Sequence, residues 1–181
     1  MKKTANLSLV LLIFLSACTG PDRSSSLEKV KEAESMLFDK NESFKFDEAL
    51  AQSTIDAYGN FAENFPKDSL TPNILFKKAD LHRAMKDYEV AMDIYKKIEN
   101  DYSDHNKAPH SLFLQGFVYE NEIGDMEKAA ERYQAFLEKY PNHDLSDDVK
   151  FSLDNLGKSP EDIIKEFNKK QNAAAIQDSV L

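Results

Sequence analysis

The side chains here with the most chemistry in them are four histidines, one cysteine and thirty-two carboxylates. His82, His105, His110 and His143 lie scattered along the chain. None forms a His-Glu-x-x-His pair or joins a cysteine cluster, the spacings that close imidazole and thiolate around zinc. His105 and His110 have only Asp101 and Asp104 near them in sequence, too thin a set for a metal. They fit a polar connection between helices. Asp147-Asp148 and Glu161-Asp162 are paired carboxylates, the raw material of general acid and base chemistry. Both pairs fall at expected helix starts, where a negative charge meets the positive end of the helix dipole, worth about 0.3–1 kcal/mol. With five glycines in all, the chain has no Gly-x-Ser-x-Gly elbow, phosphate-binding loop or dinucleotide turn. The expectation is a protein with no catalytic residue, no metal and no cofactor, and not an enzyme.

The cysteine, Cys18, stands in a different setting. Lys2 and Lys3 precede an apolar run from Leu7 to Leu15, broken only by Ser8, and Ser16 and Ala17 follow. A charged start, a short apolar segment and small residues describe a secretory signal peptide. The run is well short of the roughly 20 apolar residues that span a bilayer. Leu15-Ser16-Ala17-Cys18 resembles the bacterial lipobox. That resemblance implies a leader over residues 1–17 that is removed, and a lipidated Cys18 as the first residue of the mature chain. The other reading is an ordinary signal peptide with a chance cysteine beside it. One acyl chain binds a membrane only marginally and two or more anchor it stably, which the lipids of a lipoprotein would supply. Residues 18–26, with the polar stretch "PDRSSS", read as a tether. Bacteroidetes-type lipoproteins sent to the cell surface carry an acidic run after the cysteine. Here only Asp22 is acidic, so the expected place is the outer membrane, facing the periplasm.

The net charge of −9 becomes more negative once the leader lysines are gone. Such a surface disfavours nucleic acid and broad contact with anionic headgroups. Protein partners are expected. No second thiol exists for a disulfide, so packing must hold the fold.

The elements that position everything else come from an internal repeat. "YGNFAENFP" from Tyr58, "YKKIENDYS" from Tyr95 and "YQAFLEKYP" from Tyr133 align, with the tyrosines 37 and 38 residues apart. Apolar residues three and seven positions after each tyrosine line one face of a helix. Partner helices precede the later two. "TPNILFKKADLHRAM" has Thr71 as N-cap and Pro72 in the first turn, and "APHSLFLQGFVYENEIG" places Pro109 at the equivalent point. Short turns at Lys86-Asp87 and Gly124-Asp125 lead into the second helices, with Asp87 and Asp125 as caps.

This pattern resembles the tetratricopeptide repeat. Ala79, Ala91, Tyr95 and Ser103 occupy the small, small, aromatic and closing positions of one copy. Gly116, Ala129, Tyr133 and Pro141 do so in the next, with one extra residue near the turn from Glu122 to Gly124. His82 and Tyr119 fill the first-helix aromatic position, and Leu75 and Leu112 stand where tryptophan is common. The resemblance implies an all-α tetratricopeptide-repeat α-solenoid of about seven to eight antiparallel helices. Its domain would span 27–171: a degenerate repeat over 27–66, repeats over 71–103 and 108–141, and capping helices over 145–171. The degenerate repeat reads as helices Leu27 to Phe38 and Asp47 to Phe65. In the cap, Ser159-Pro160 starts the last helix, with Asp162 completing a capping box. Residues 172–181 read as a flexible tail. Together with the lipobox, the chain is similar to small periplasmic repeat lipoproteins of the BamD and YbgF kind.

In this architecture the first helices line a concave groove, where peptides or partner helices bind. Counting from the repeat places Asn73, Phe76, Lys77, Asp80 and Arg83 there, followed by His110, Phe113, Leu114, Phe117, Glu120 and Asn121. Phe113 and Phe117 are i, i+4 neighbours, and Phe76 is the equivalent of Phe113. Phe113 is expected to be mostly buried between repeats and Phe117 to be the aromatic anchor, with Lys77, Arg83 and His110 giving specificity. The expected function is a noncatalytic lipid-anchored adaptor for envelope proteins, in outer-membrane protein assembly. The alternatives are a cell-wall or Tol-Pal coordination scaffold, or an enzyme or glycan or small-ligand binder using the same concavity.

Overall fold

A computed structural model of the chain describes residues 20–38 and 46–178. Cys18 and the leader lie outside the described residues, as does the polar break from Lys40 to Ser43. Among the described residues the fold is all-α. Its helices are α1 (Arg23–Leu37), α2 (Glu48–Asn64), α3 (Thr71–Ala84), α4 (Tyr88–Asp101), α5 (Lys107–Val118), α6 (Met126–Lys139), α7 (Ser146–Asp154) and α8 (Pro160–Asp178). A π-helical turn, Tyr119–Ile123, extends α5. Each helix from α1 to α6 packs against the next, and α3 also touches α5, as in an α-solenoid.

The second helices α2, α4 and α6 insert Tyr58, Tyr95 and Tyr133, all essentially sealed from solvent. Small residues let the paired helices close on these rings. Ala79 and Ala91 pack with Tyr95, and Ala129 packs with Tyr133. At Gly116 a Cβ would lie 2.5 Å from the Tyr133 ring, so only glycine fits there. Each hydroxyl then needs a partner and finds a first-helix carboxylate. Tyr58 donates to Glu34 at 2.8 Å, Tyr95 to Asp80 at 2.6 Å and Tyr133 to Glu120 at 2.7 Å. Burial, and secondarily these carboxylates, push all three phenols far above their usual range, so they remain donors.

The turns between repeats share one construction. Asp68, His105 and His143, spaced like the tyrosines, each accept a hydrogen bond from the backbone N–H two residues on. The distances are 2.9, 3.1 and 3.1 Å, to Leu70, Lys107 and Leu145. The first turn is built like the other two, which makes α1 and α2 a repeat in register with the rest. At the opposite ends, Lys86 has φ 64° and Gly124 φ 80°, both left-handed. The extra residue of the second copy is taken up by the π turn. Asp87 N–H bonds His82 C=O, five residues back, whereas Asp125 N–H bonds Tyr119 C=O, six back.

Several boundaries differ from the sequence reading. Helix α1 starts at Arg23 rather than Leu27, so much of "PDRSSS" is helical rather than tether. Asp22 caps it, accepting from Ser25 N–H at 2.8 Å and Ser24 Oγ at 2.7 Å, and Arg23 pairs with Asp68. Thr71 is not an N-cap. It is the first helical residue, and its Oγ1 donates to the Phe65 carbonyl at 2.6 Å; Ser146 repeats the bond to Tyr140 at 2.8 Å. Asp125 caps α6 through Lys128 N–H, but Asp87 turns its carboxylate to His82 Nδ1 at 3.0 Å instead. The Ser159–Asp162 capping box is half formed: Asp162 N–H reaches Ser159 Oγ, and the Asp162 carboxylate takes the serine hydroxyl.

The C-terminal end departs furthest. Residues 172–178, expected as tail, continue α8, where Ala173, Ala174 and Ala175 are strong helix formers. Nor does α8 cover the last apolar face: Phe151, Ile164 and Phe167 remain 58%, 60% and 58% exposed. Asp154 stands in the register of Ala79 and Gly116, where close helix approach needs a small residue. Helix α7 is nine residues long against fourteen in α3, and Gly157, with φ 74°, turns the chain away just after it.

Candidate functional site

The first helices α1, α3 and α5 present a common face, and interactions across it tie the repeats together. Lys77 on α3 reaches Glu34 on α1, Nζ to Oε1 2.8 Å. Glu34 therefore receives both this ammonium and the Tyr58 hydroxyl. On α3, Asp80 holds the Tyr95 hydroxyl with Arg83 Nε 4.0 Å away. Arg83 Nη1 lies 3.7 Å from Glu122 in the π turn, and Glu122 also accepts from Tyr88 Oη at 2.9 Å. Arg83 Nε is shielded from solvent and makes no hydrogen bond. The charges of this face are thus largely matched within the molecule.

Aromatic rings run beside them. Phe76 tilts against Tyr95 with centroids 5.7 Å apart and meets the His110 edge at 6.4 Å, and Lys107 Nζ sits 4.4 Å above its ring. His110 continues to His143 at 5.5 Å, and His143 to Phe136 at 5.8 Å. His110 Nδ1 is 2.9 Å from the Asn106 carbonyl, which places its proton there. His143 Nδ1 accepts from Leu145 N–H, so its proton is on Nε2. Phe113 stacks on Tyr133 at 6.2 Å and lies 6.3 Å from Phe117.

All the residues that counting assigned to the groove fall on α3, α5 and the π turn, but in unlike roles. Phe76 and Leu114 pack against the core between α3 and α4, and Phe113 against that of α5 and α6. Lys77, Asp80, Arg83 and Glu120 are engaged as described, and Asn73 approaches His105 at 3.5 Å. Asn121 is exposed, its side chain donating to the Phe117 carbonyl at 3.1 Å. Phe113 is half-buried, packed against the core of α5 and α6. Phe117 is also half-buried, with its ring 6.3 Å from that of Phe113.

Sequence counting missed Glu34, Lys107, Glu122 and His143. The signal for His143 was present, since Asp68, His105 and His143 repeat at 37 and 38 residues. Glu122 reaches the face because the π turn swings it toward Arg83 and Tyr88, which no repeat count foresees. Among the described residues no group of three or more histidine, cysteine or acidic side chains could hold a metal.

The tetratricopeptide repeat family matches residues 74–105 and 110–143, the two copies built from α3–α4 and α5–α6. Among curated proteins none matches the chain. Repeats of this kind form protein–protein interaction modules.

Proposed function

We propose that this chain, built around two tetratricopeptide repeats, is a noncatalytic adaptor that is lipid-anchored in the bacterial cell envelope and holds protein partners against its first-helix face. The observation that carries the reading is Phe117: an aromatic side chain left half-open beside Phe113, with the exposed Asn121 side chain donating to its backbone carbonyl. An aromatic anchor within a polar rim is the usual composition of a binding hot spot, and truncating one costs about 2 kcal/mol or more. The internally matched charges give a partner little reason to bind by net charge alone, so apolar contact and shape set its affinity.

Anchoring rests on Leu15-Ser16-Ala17-Cys18. No helix among the described residues is long and apolar enough to cross a membrane. The proposed place is the periplasmic face of the outer membrane, with outer-membrane protein assembly or Tol-Pal coordination as the setting.

Photo-crosslinking in intact cells tests the adaptor reading, with the crosslinker at position 117 and a control at Lys97 on α4. A discrete protein captured from 117 and absent from 97 is expected. Phe117→Arg that leaves the affinity for the captured protein unchanged refutes the groove. Metabolic labelling with a fatty acid, lost in Cys18→Ser, tests the anchor separately.

A further inference from the structure

The interfaces between successive repeats can be compared position by position, because α2–α3, α4–α5 and α6–α7 follow the 37- and 38-residue spacing. Where α6 meets α7 the equivalent residues are Leu137, Val149 and Leu153, all part of one apolar core. Where α2 meets α3 they are Ala62, Ile74 and Lys78, the lysine lying over Gly59. Where α4 meets α5 they are Glu99, Ser111 and Gln115. Ser111 and Gln115 are fully buried. Gln115 Nε2 donates to Glu99 at 3.0 Å, but its Oε1 and the Ser111 hydroxyl make no hydrogen bond. One fastening also differs. Tyr102 donates across the first interface to the Pro66 carbonyl at 2.9 Å. The equivalent Tyr140 hydroxyl, in register with Ser103 and beside Lys139, which reaches Glu99, is shielded without a partner. With Arg83 Nε, these are all the shielded side-chain polar atoms without a partner among the described residues, and each belongs to the boundary between α1–α4 and α5–α7.

The apolar core divides at the same place. Its sealed residues group within α1–α4, as with Val30, Tyr58 and Ile74, or Ala79, Ala91 and Tyr95, and separately within α5–α7, as with Leu112, Tyr133 and Val149. On the groove side, Leu114 packs against the Tyr95 cluster and the His110 edge meets Phe76. Elsewhere the links across the boundary are polar and part-exposed: Lys139 to Glu99 at 3.3 Å, and Arg83 and Tyr88 to Glu122 at 3.7 and 2.9 Å. Links of this kind re-form through water when helices shift. Parting an apolar interface exposes hydrocarbon to water, whereas parting this one hydrates groups that burial leaves unpaired, so it opens at the lowest cost of the three. We infer that the α4–α5 boundary is a joint: helices α1–α4 and α5–α7 each move as one body, and the solenoid bends between them. Phe76 and Lys77 ride on the first body and Phe117 on the second, so bending changes the width of the first-helix face. The joint belongs to the free chain and does not rest on what binds that face.

Double electron–electron resonance on the full chain reads the joint. Nitroxides carried on p-acetylphenylalanine leave Cys18 unchanged, and Asp56, Asp93 and Glu131 are exposed, equivalent positions on α2, α4 and α6. The pair at 93 and 131 spans the joint. It is expected to give a broader distance distribution than the pair at 56 and 93, which lies within one body. Glu99→Leu/Ser111→Val/Gln115→Leu copies the α6–α7 interface into the joint and is expected to remove the excess width. Circular dichroism checks that the variant keeps the fold. If it does not, Ser111→Val alone repeats the test and is expected to narrow the distribution in part. Equal widths for the two pairs in the native chain overturn the inference. An excess width that a folded sealing variant leaves unchanged overturns it equally, and moves the flexing away from Glu99, Ser111 and Gln115.

Discussion

Gly116 and Gly59 offer the same substitution with opposite expected outcomes. Both lie inside helices, where glycine costs about 1 kcal/mol relative to alanine, so propensity alone predicts that Gly→Ala stabilises at either site. At Gly59 the added Cβ meets only Lys78 Nζ, at 3.0 Å, the free end of a flexible side chain. The lysine moves aside and the propensity gain of roughly 0.5–1 kcal/mol is kept. At Gly116 the Cβ falls 2.5, 2.6 and 3.1 Å from three carbons of the Tyr133 ring. Ordinary contact requires the ring to retreat by about 1 Å, and it has nowhere to go. It is fully buried, stacked on Phe113 and tied through its hydroxyl to Glu120. Overpacking of this kind costs about 1–3 kcal/mol, which outweighs the propensity gain and leaves Gly116→Ala destabilised by roughly 1–2 kcal/mol. For a domain of this size that lowers the melting temperature by about 2–8 °C. Thermal and urea unfolding followed by circular dichroism at 222 nm measures both variants. In a Tyr133→Leu background the cost of the alanine should shrink or change sign, because the ring it strikes is gone. If Gly116→Ala stabilises as Gly59→Ala does, helices α5 and α6 do not approach as closely as described, and the reasoning fails.

Lys86 sits at φ 64°, a conformation that strains every residue but glycine, so Lys86→Gly is expected to raise stability by about 0.5–1 kcal/mol in the same unfolding assay. Burial, and then the neighbouring Lys107, hold the His105 pKa below its usual 6.5, so the folded state prefers the neutral ring. Its contribution is complete above pH 6.5 and is lost as pH falls through 6.5 toward the lower folded value. Since Asp68 performs the same turn-clasping role in the first repeat, His105→Asp should flatten the decline in stability below pH 6.5; denaturation curves that stay parallel to the native chain's would refute this. Tyr95→Phe removes the 2.6 Å bond to Asp80 and should cost about 0.5–1.5 kcal/mol, since the part-exposed carboxylate can turn to water. If Phe117 anchors partners, Phe117→Ala should weaken the captured complex by about 2 kcal/mol while leaving the melting temperature within a few degrees, which calorimetry of binding and unfolding separates.

The sequence by itself determined the repeat. Tyrosines at intervals of 37 and 38 with small residues ahead of them fix which helices pair, because a buried ring and a close backbone approach constrain residue type directly. The same periodicity located the residues counted along the first helices, which fall on α3, α5 and the π turn. What it could not determine were interactions set by geometry outside the repeat unit. Which first-helix charges pair, and with what, depends on how neighbouring repeats lie: Lys77 crosses to Glu34 in one direction, and Arg83 to Glu122 in the other, through a π turn that a one-residue insertion leaves no other way to absorb. Helix α8 shows the same limit. Its pattern is amphipathic and reads as a cap, but capping requires a ledge of sufficient length with a small residue at the contact, and α7, nine residues long with Asp154 at that point, supplies neither. Local periodicity names a helix and its apolar face; the length and surface of its neighbour decide whether that face is covered.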